Sequence, residues 1–192
     1  KCDWSSDVCS SDLEVLAEIA RASRLPICAS VPAVAAGDIV KGARDLAKVA
    51  DRLIISVPFI DDAIPAIRRL SADGLQVAAT LVYSAAQGIL AAHAGASMVT
   101  VSVDALDAVG TDGHAVLEEL HAAFDHSAAE CDVAAAGPSS ASSFATAAMV
   151  GADVAIVAPD VLRALIQHPL TDRGLDRFLG AISRRPRGKR SK

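Results

Sequence analysis

The sequence predicts an α/β fold built around a parallel sheet, on three observations. Short apolar runs alternate with segments of helical periodicity about six times along the chain. The connections between them are short, which favours parallel strands joined by right-handed crossovers. Of the 192 residues, 52% are apolar but only 3% aromatic. That is an Ala/Val/Ile/Leu core, suited to strands covered on both faces. These observations alone do not separate a closed barrel from a doubly wound sheet.

Taken in order, Glu14 to Ser23 has helical spacing and ends before Leu25-Pro26, where proline forbids continuation. Ile27 to Val31 is a short apolar strand. Gly37 to Ala50 carries apolar residues at Ile39, Val40, Ala43, Leu46 and Val49, one helix face. Arg52 to Val57 is the second strand, with the run Leu53-Ile54-Ile55 leading into Ser56-Val57-Pro58. Asp61 to Ala72 is a helix stopped by Gly74, its two leading acids placed where the dipole favours negative charge. Gln76 to Val82 is the third strand, Ala85 to Ala94 a helix closed by Gly95, and Ser97 to Val103 the fourth strand. Gly113 to Ser127 is a helix, Asp132 to Ala136 the fifth strand, and Ser140 to Met149 a helix stopped by Gly151. Asp153 to Val157 is the sixth strand. Asp160 to Gln167 is a helix with Asp160 as its N-cap, and Leu170 to Ser183 is the terminal helix.

Several function classes are disfavoured. No apolar stretch approaches the ~18 residues of a membrane span, and no signal-peptide pattern is visible. The net charge is −5, but Arg184 to Lys192 hold six Lys and Arg and no acid. Without them 12 basic residues face 23 acidic ones, a balance of −11. Such a body is not expected to bind nucleic acid, and residues 184–192 read as a solvated, disordered basic tail. No helix opens on a dinucleotide fingerprint or a Walker-type phosphate loop. Cys2, Cys9, Cys28 and Cys131 lack metal-ligand spacing; Cys28 and Cys131 read as buried free thiols, in keeping with a reducing cytoplasm. No cofactor is expected. Residues 1–13 stand apart. Asp3 to Leu13 back-translates to one frame of a common short-read sequencing adapter and has neither helical nor strand period. It reads as a non-native segment ahead of a body spanning residues 14–183.

Within that body, Ser56-Val57-Pro58, the helix Ala63 to Leu70, Ala72-Asp73-Gly74 and the block from Thr80 through Tyr83-Ser84-Ala85-Ala86-Gln87-Gly88 follow a family pattern. So do Ala92-His93-Ala94-Gly95-Ala96, Gly151-Ala152-Asp153, Ala158-Pro159-Asp160-Val161 and His168-Pro169. Together they resemble the transaldolase family, in particular its fructose-6-phosphate aldolase branch, over roughly Leu13 to Ser183. The resemblance implies a (β/α)8 TIM-type barrel, present here as a partial barrel of six βα units that lacks the first two. A sheet so interrupted cannot close by itself. It also implies a carbohydrate-metabolism protein, a sugar-phosphate ligand and a homo-oligomer whose terminal helix reaches a neighbour. The apolar residues Leu175, Phe178, Leu179 and Ile182 suit such a contact.

The chemistry departs from the pattern. A class I aldolase needs an amine beside the substrate carbonyl, and lysine serves because burial lowers its pKa. The resemblance places that lysine at Ser56, and a hydroxyl cannot form an iminium ion. It places a glutamine at Ser30, a tyrosine at Ser102, and phosphate-binding arginine and serine at Ala105 and Gly137. Thr80 alone matches. Lys41 and Lys48 sit on a helix and Lys189 and Lys192 in the tail, so none replaces the missing amine. Ser56 as a nucleophile would need a base within reach, and His93, His114 and His121 lie on helices. Gly137, Ser139 and Ser140, at a helix N-terminus after the fifth strand, form a candidate phosphate site or a simple helix cap. Asp104, Asp107 and Asp112, after the fourth strand, suit a divalent cation or acid–base work, or are solvated loop acids.

Three functions remain in play. The first is a family member without Schiff-base catalysis, with a binding or assembly role. The second is an active class I aldolase or transaldolase whose amine comes from a preceding segment or another subunit. The third is a metal-dependent lyase using the acidic loop.

Overall fold

The computed structural model describes residues 13–50, 52–127 and 129–183; residues 1–12 and the basic segment 184–192 lie outside them. Six parallel strands run β1 (Ile27–Ser30), β2 (Leu53–Pro58), β3 (Gln76–Val82), β4 (Met98–Ser102), β5 (Asp132–Ala136) and β6 (Val154–Ile156). Each lies beside its sequence neighbour, in the order β1-β2-β3-β4-β5-β6. A sheet that never reverses its strand order is the barrel arrangement, and the doubly wound alternative is set aside; this is a half-barrel of (β/α) units.

Helices fill the crossovers: α1 (Leu13–Ala22), α2 (Ala36–Ala47), α3 (Ala63–Ala72), α4 (Ala85–Ala94), α5 (Val103–Ala108), α6 (Gly113–Ser127), α7 (Ala141–Met149), α8 (Pro159–Ala164) and α9 (Pro169–Ser183). Strand alternation then sorts the side chains. Ile55, Val57, Val77, Ala79, Val99, Val101 and Val133 face outward and pack with Ile39, Ile67, Leu70, Leu117 and Leu120 of the helices. Each fully buried Ile, Leu or Val of this layer contributes about 1.5–3 kcal/mol relative to exposure. The alternate residues Ala78, Met98 and Ala134 face the barrel interior and form a second, smaller cluster with Ile54 and Ile156.

Register fixes which residues share the interior. Ser30 pairs with Ser56, Ser56 with Ala78, Pro58 with Thr80, and Ser102 with Ala136. Between β3 and β4 the register slips: Ala79 pairs with Val99 but Val82 with Val101, so Thr80 and Leu81 together face Thr100. This is a β-bulge, and Leu81 adopts φ 57, the left-handed region that a branched side chain rarely enters. The bulge returns Val82 to the helix-facing layer, where it is fully buried.

Four expectations need correction. The strand after Ser97 is shorter than its apolar run: it ends at Ser102, and Val103 opens α5, a six-residue helix that buries Val103 and Leu106. One turn and a half offers too little periodicity to read. Asp160 is not the cap of α8; that position is Ala158, without a side-chain bond, and Asp160 lies in the first turn after Pro159. Proline's fixed φ starts this helix without a cap. Cys28 is exposed, because it faces the interior from edge strand β1, which has a partner on only one side. Cys131 is half-buried just before β5. Burial, with Asp132 and Asp153 adding repulsion, pushes its thiol from 9.0 up to about 12.

Candidate active site

The C-terminal ends of parallel barrel strands carry the chemistry of such folds, and here that end is lined with hydroxyls. Ser30 and Ser56 sit side by side as register partners on β1 and β2. Ser56 is 8% exposed and Thr100 on β4 is 3% exposed; these are the two buried polar side chains among the described residues. Both face the interior. Thr80 and Ser102 are half-buried at the exits of β3 and β4. The structure thus gathers Ser30, Ser56, Thr80 and Ser102 at one end of one face, with Thr100 beneath the rim.

Thr100 escaped the sequence reading. Its Oγ1 is buried and finds no hydrogen-bond partner among the described residues. A buried hydroxyl left unpaired costs about 1–3 kcal/mol. Its signal in the sequence is slight: a single Thr inside Met98-Val99-Thr100-Val101 reads as an ordinary β-branched strand residue.

Among the described residues no lysine or histidine joins this group. Lys41 belongs to α2, and Lys48 caps it while pairing with Asp45 at 2.7 Å. His93 lies on α4 and His114, His121 and His126 on α6. His114 Nε2 lies 3.0 Å from the Ser143 carbonyl oxygen, which ties α6 to α7 instead of reaching the interior.

The block Tyr83 to Gly88 has a local structural job. Ser84 Oγ caps α4 by accepting the Gln87 N–H at 3.3 Å, and Gln87 Oε1 accepts the Tyr83 N–H at 2.9 Å. Gly88 then lets α4 approach α6 so closely that a Cβ there would stand 2.6 Å from Leu120 Cδ1. Tyr83 itself is 40% exposed.

The loop after β5 is arranged differently from a bare anion cradle. Ser140 Oγ caps α7 by accepting the Ser143 N–H at 3.1 Å, and Ser139 is exposed. Gly137 holds φ 81, donates its N–H to the Ile156 carbonyl, and lies directly beneath the Asp104 carboxyl group. A Cβ at 137 would overlap that carboxylate. Ala105, next to Asp104, is half-buried.

Asp104 is therefore separated from the other two acids of its loop. Asp107 and Asp112 instead converge with His114, their ligand atoms all within 4.8 Å of one another. Each already has a backbone task. Asp107 Oδ1 accepts the Gly113 N–H at 3.0 Å, and Asp112 Oδ1 accepts from His114 and Ala115 at 2.9 and 3.2 Å, which caps α6.

Compared with known proteins, the chain matches the family described as transaldolase/fructose-6-phosphate aldolase over residues 9–185. A "Probable transaldolase" of Bartonella tribocorum (strain CIP 105476 / IBS 506) is 42% identical over 167 residues, 87% of this chain and 77% of that relative. Proteins of the same description from Chelativorans sp. (strain BNC1) and Rhizobium meliloti (strain 1021) are each 38% identical over the same shares.

Proposed function

We propose, from the premise that this chain belongs to the transaldolase/fructose-6-phosphate aldolase family, that it is a cytoplasmic carbohydrate-binding protein that has given up Schiff-base catalysis. The observation that carries this is Ser56. It stands at the exit of β2, where the resemblance calls for the lysine, buried on the interior face and next to Ser30 in the sheet. No lysine lies on any strand among the described residues. A serine there can hold a ketose through hydrogen bonds but cannot exchange its carbonyl oxygen for nitrogen. Nor is Ser56 an activated nucleophile, because none of the described histidines lies on the sheet.

Support for a sugar ligand comes from the family and from the hydroxyl lining of Ser30, Ser56, Thr80 and Ser102. The cation reading of the acidic loop has less behind it, since Asp107 and Asp112 are engaged by backbone N–H groups and Asp104 points elsewhere. A homo-oligomeric state is part of the proposal, because α9 presents Leu175, Phe178, Leu179 and Ile182 exposed.

The test is reductive trapping. The protein is incubated with dihydroxyacetone and borohydride and its intact mass measured. No covalent adduct is expected. A mass increase matching a reduced ketose would show that an amine from elsewhere, in this chain or a second subunit, does the condensation, and the aldolase alternative would replace this one.

A further inference from the structure

The charges at the strand exits have a single sign. The segments leaving the strands, together with the first turns they open, carry Asp38, Asp61, Asp62, Asp104, Asp107, Asp112 and Asp160. Among the described residues no Lys or Arg lies on any of them; the basic residues sit within helices or on segments that enter strands, as Arg24 and Arg52 do. Acids at helix starts are ordinary, and six of the seven need no further account. Asp104 does. Its carboxylate lies across Gly137, the residue at the head of the loop whose following helix, α7, would otherwise offer free N–H groups to an anion. Those groups are also partly spent, because Ser140 Oγ takes the Ser143 N–H.

A second, independent feature lies just below. Thr100 Oγ1, in a side chain 3% exposed on the same interior face, has no hydrogen-bond partner among the described residues. It is two residues from Ser102 and four from Asp104 in sequence, and it faces the bulge at Thr80 and Leu81. An incoming hydroxyl would satisfy that oxygen; an apolar ligand would leave it unpaired.

We propose that Asp104 determines specificity at this mouth by excluding phosphorylated ligands, and that the site takes an uncharged polyhydroxylated molecule, a free ketose or polyol. This rests on the carbohydrate-binding reading above and narrows its ligand class. The physical ground is like-charge juxtaposition. A phosphate entering the β5–α7 loop meets a fixed carboxylate with no guanidinium or ammonium among the described residues of these exits to offset it. An uncharged sugar meets hydroxyls, each able to donate and accept.

The experiment is a shift titration by 15N-resolved NMR of the full chain, using D-fructose and fructose 6-phosphate as probes. The unliganded spectrum reports whether each variant is folded. Fructose is expected to bind at least about tenfold more tightly than its phosphate, with the gap narrowing at high salt. Asp104→Asn keeps the side chain's shape and removes its charge. It should tighten fructose 6-phosphate about tenfold and so narrow the gap between the two sugars. Thr100→Val should weaken fructose. Equal or tighter binding of the phosphate by the unaltered protein overturns the exclusion and leaves the carbohydrate reading intact. An unchanged preference in folded Asp104→Asn overturns the role of that residue. Binding of neither sugar removes the carbohydrate reading and this inference with it.

Discussion

At the scale of single residues, the proposed loss of Schiff-base chemistry turns on Ser56, and restoring an amine there tests it. A lysine at a site 8% exposed would have its ammonium form disfavoured by desolvation, which lowers its pKa and frees the amine. Ser56→Lys should therefore give a borohydride-trappable adduct with dihydroxyacetone where the unaltered chain gives none, read by intact mass. Turnover should stay low, because Ser30, Ser102, Ala105 and Gly137 stand where the resemblance implies other groups. Gly88 sets a second expectation. A methyl group there would meet Leu120 at 2.6 and 2.8 Å. Gly88→Ala should then cost roughly 1–3 kcal/mol through overpacking, measurable as a lower urea midpoint. Cys131 gives a pH dependence. Its thiol is neutral in the folded chain up to about pH 12, against 9.0 ordinarily. The stability it contributes is full below about pH 9 and is lost as pH rises toward 12. Cys131→Ala should flatten that part of the stability profile relative to the unaltered chain. At this scale legibility was uneven. The place of Ser56 near the end of the second strand was legible in the chain itself, because the apolar run Leu53-Ile54-Ile55 leads into it. The Asp104–Gly137 contact did not, because it joins residues from two different βα units and depends on a glycine's missing side chain.

At the scale of elements, the long periodic segments were readable and the short ones were not. Gln76–Val82, Ala85–Ala94, Gly113–Ser127 and Asp132–Ala136 appear with the expected bounds, each bracketed by turn residues or a clear change of period. Helix α5 was missed because six residues show only one i, i+3 pair, Val103 and Leu106. The bulge at Thr80-Leu81 was invisible too; nothing in Ala79-Thr80-Leu81-Val82 distinguishes a strand with an extra residue from one without. Helix α9 raises a different question. Leu170, Leu175, Phe178, Leu179 and Ile182 are each half or more exposed, on a helix of marked amphipathic character. A row of apolar side chains so placed calls for a covering surface. Leu175→Ser with Phe178→Ser should lower the mass measured by light scattering if that surface is a second copy, without lowering helix content in circular dichroism. An unchanged mass would assign α9 to its own chain or leave the protein monomeric.

At the scale of the whole molecule, stability should be graded across the sheet. Strands β2 to β5 each have partners on both sides, whereas β1 and β6 each pair on one side only among the described residues, and β6 is three residues long. Hydrogen exchange should accordingly be slowest in β3 and β4 and fastest in β6, with β1 next. Equal protection in all six would mean that the outer strands are covered in solution. The architecture as a whole was legible from alternation and composition, since a chain of βα units with few aromatics has few other ways to bury its strands. What alternation could not decide was barrel against doubly wound sheet. Strand order decides it, and strand order is a property of long-range pairing that no local pattern encodes.

The two lateral strands also point to an assembly hazard. Each is unpaired on one flank among the described residues, and they run in the same direction with different surfaces, so the flank of β6 in one molecule is a template for the flank of β1 in the next. Such docking joins unlike patches head to tail, and nothing in it requires a ring to close. Concentrated solutions should therefore drift toward fibrous polymers instead of amorphous precipitate, and a single lysine planted in β6 should cap their growth.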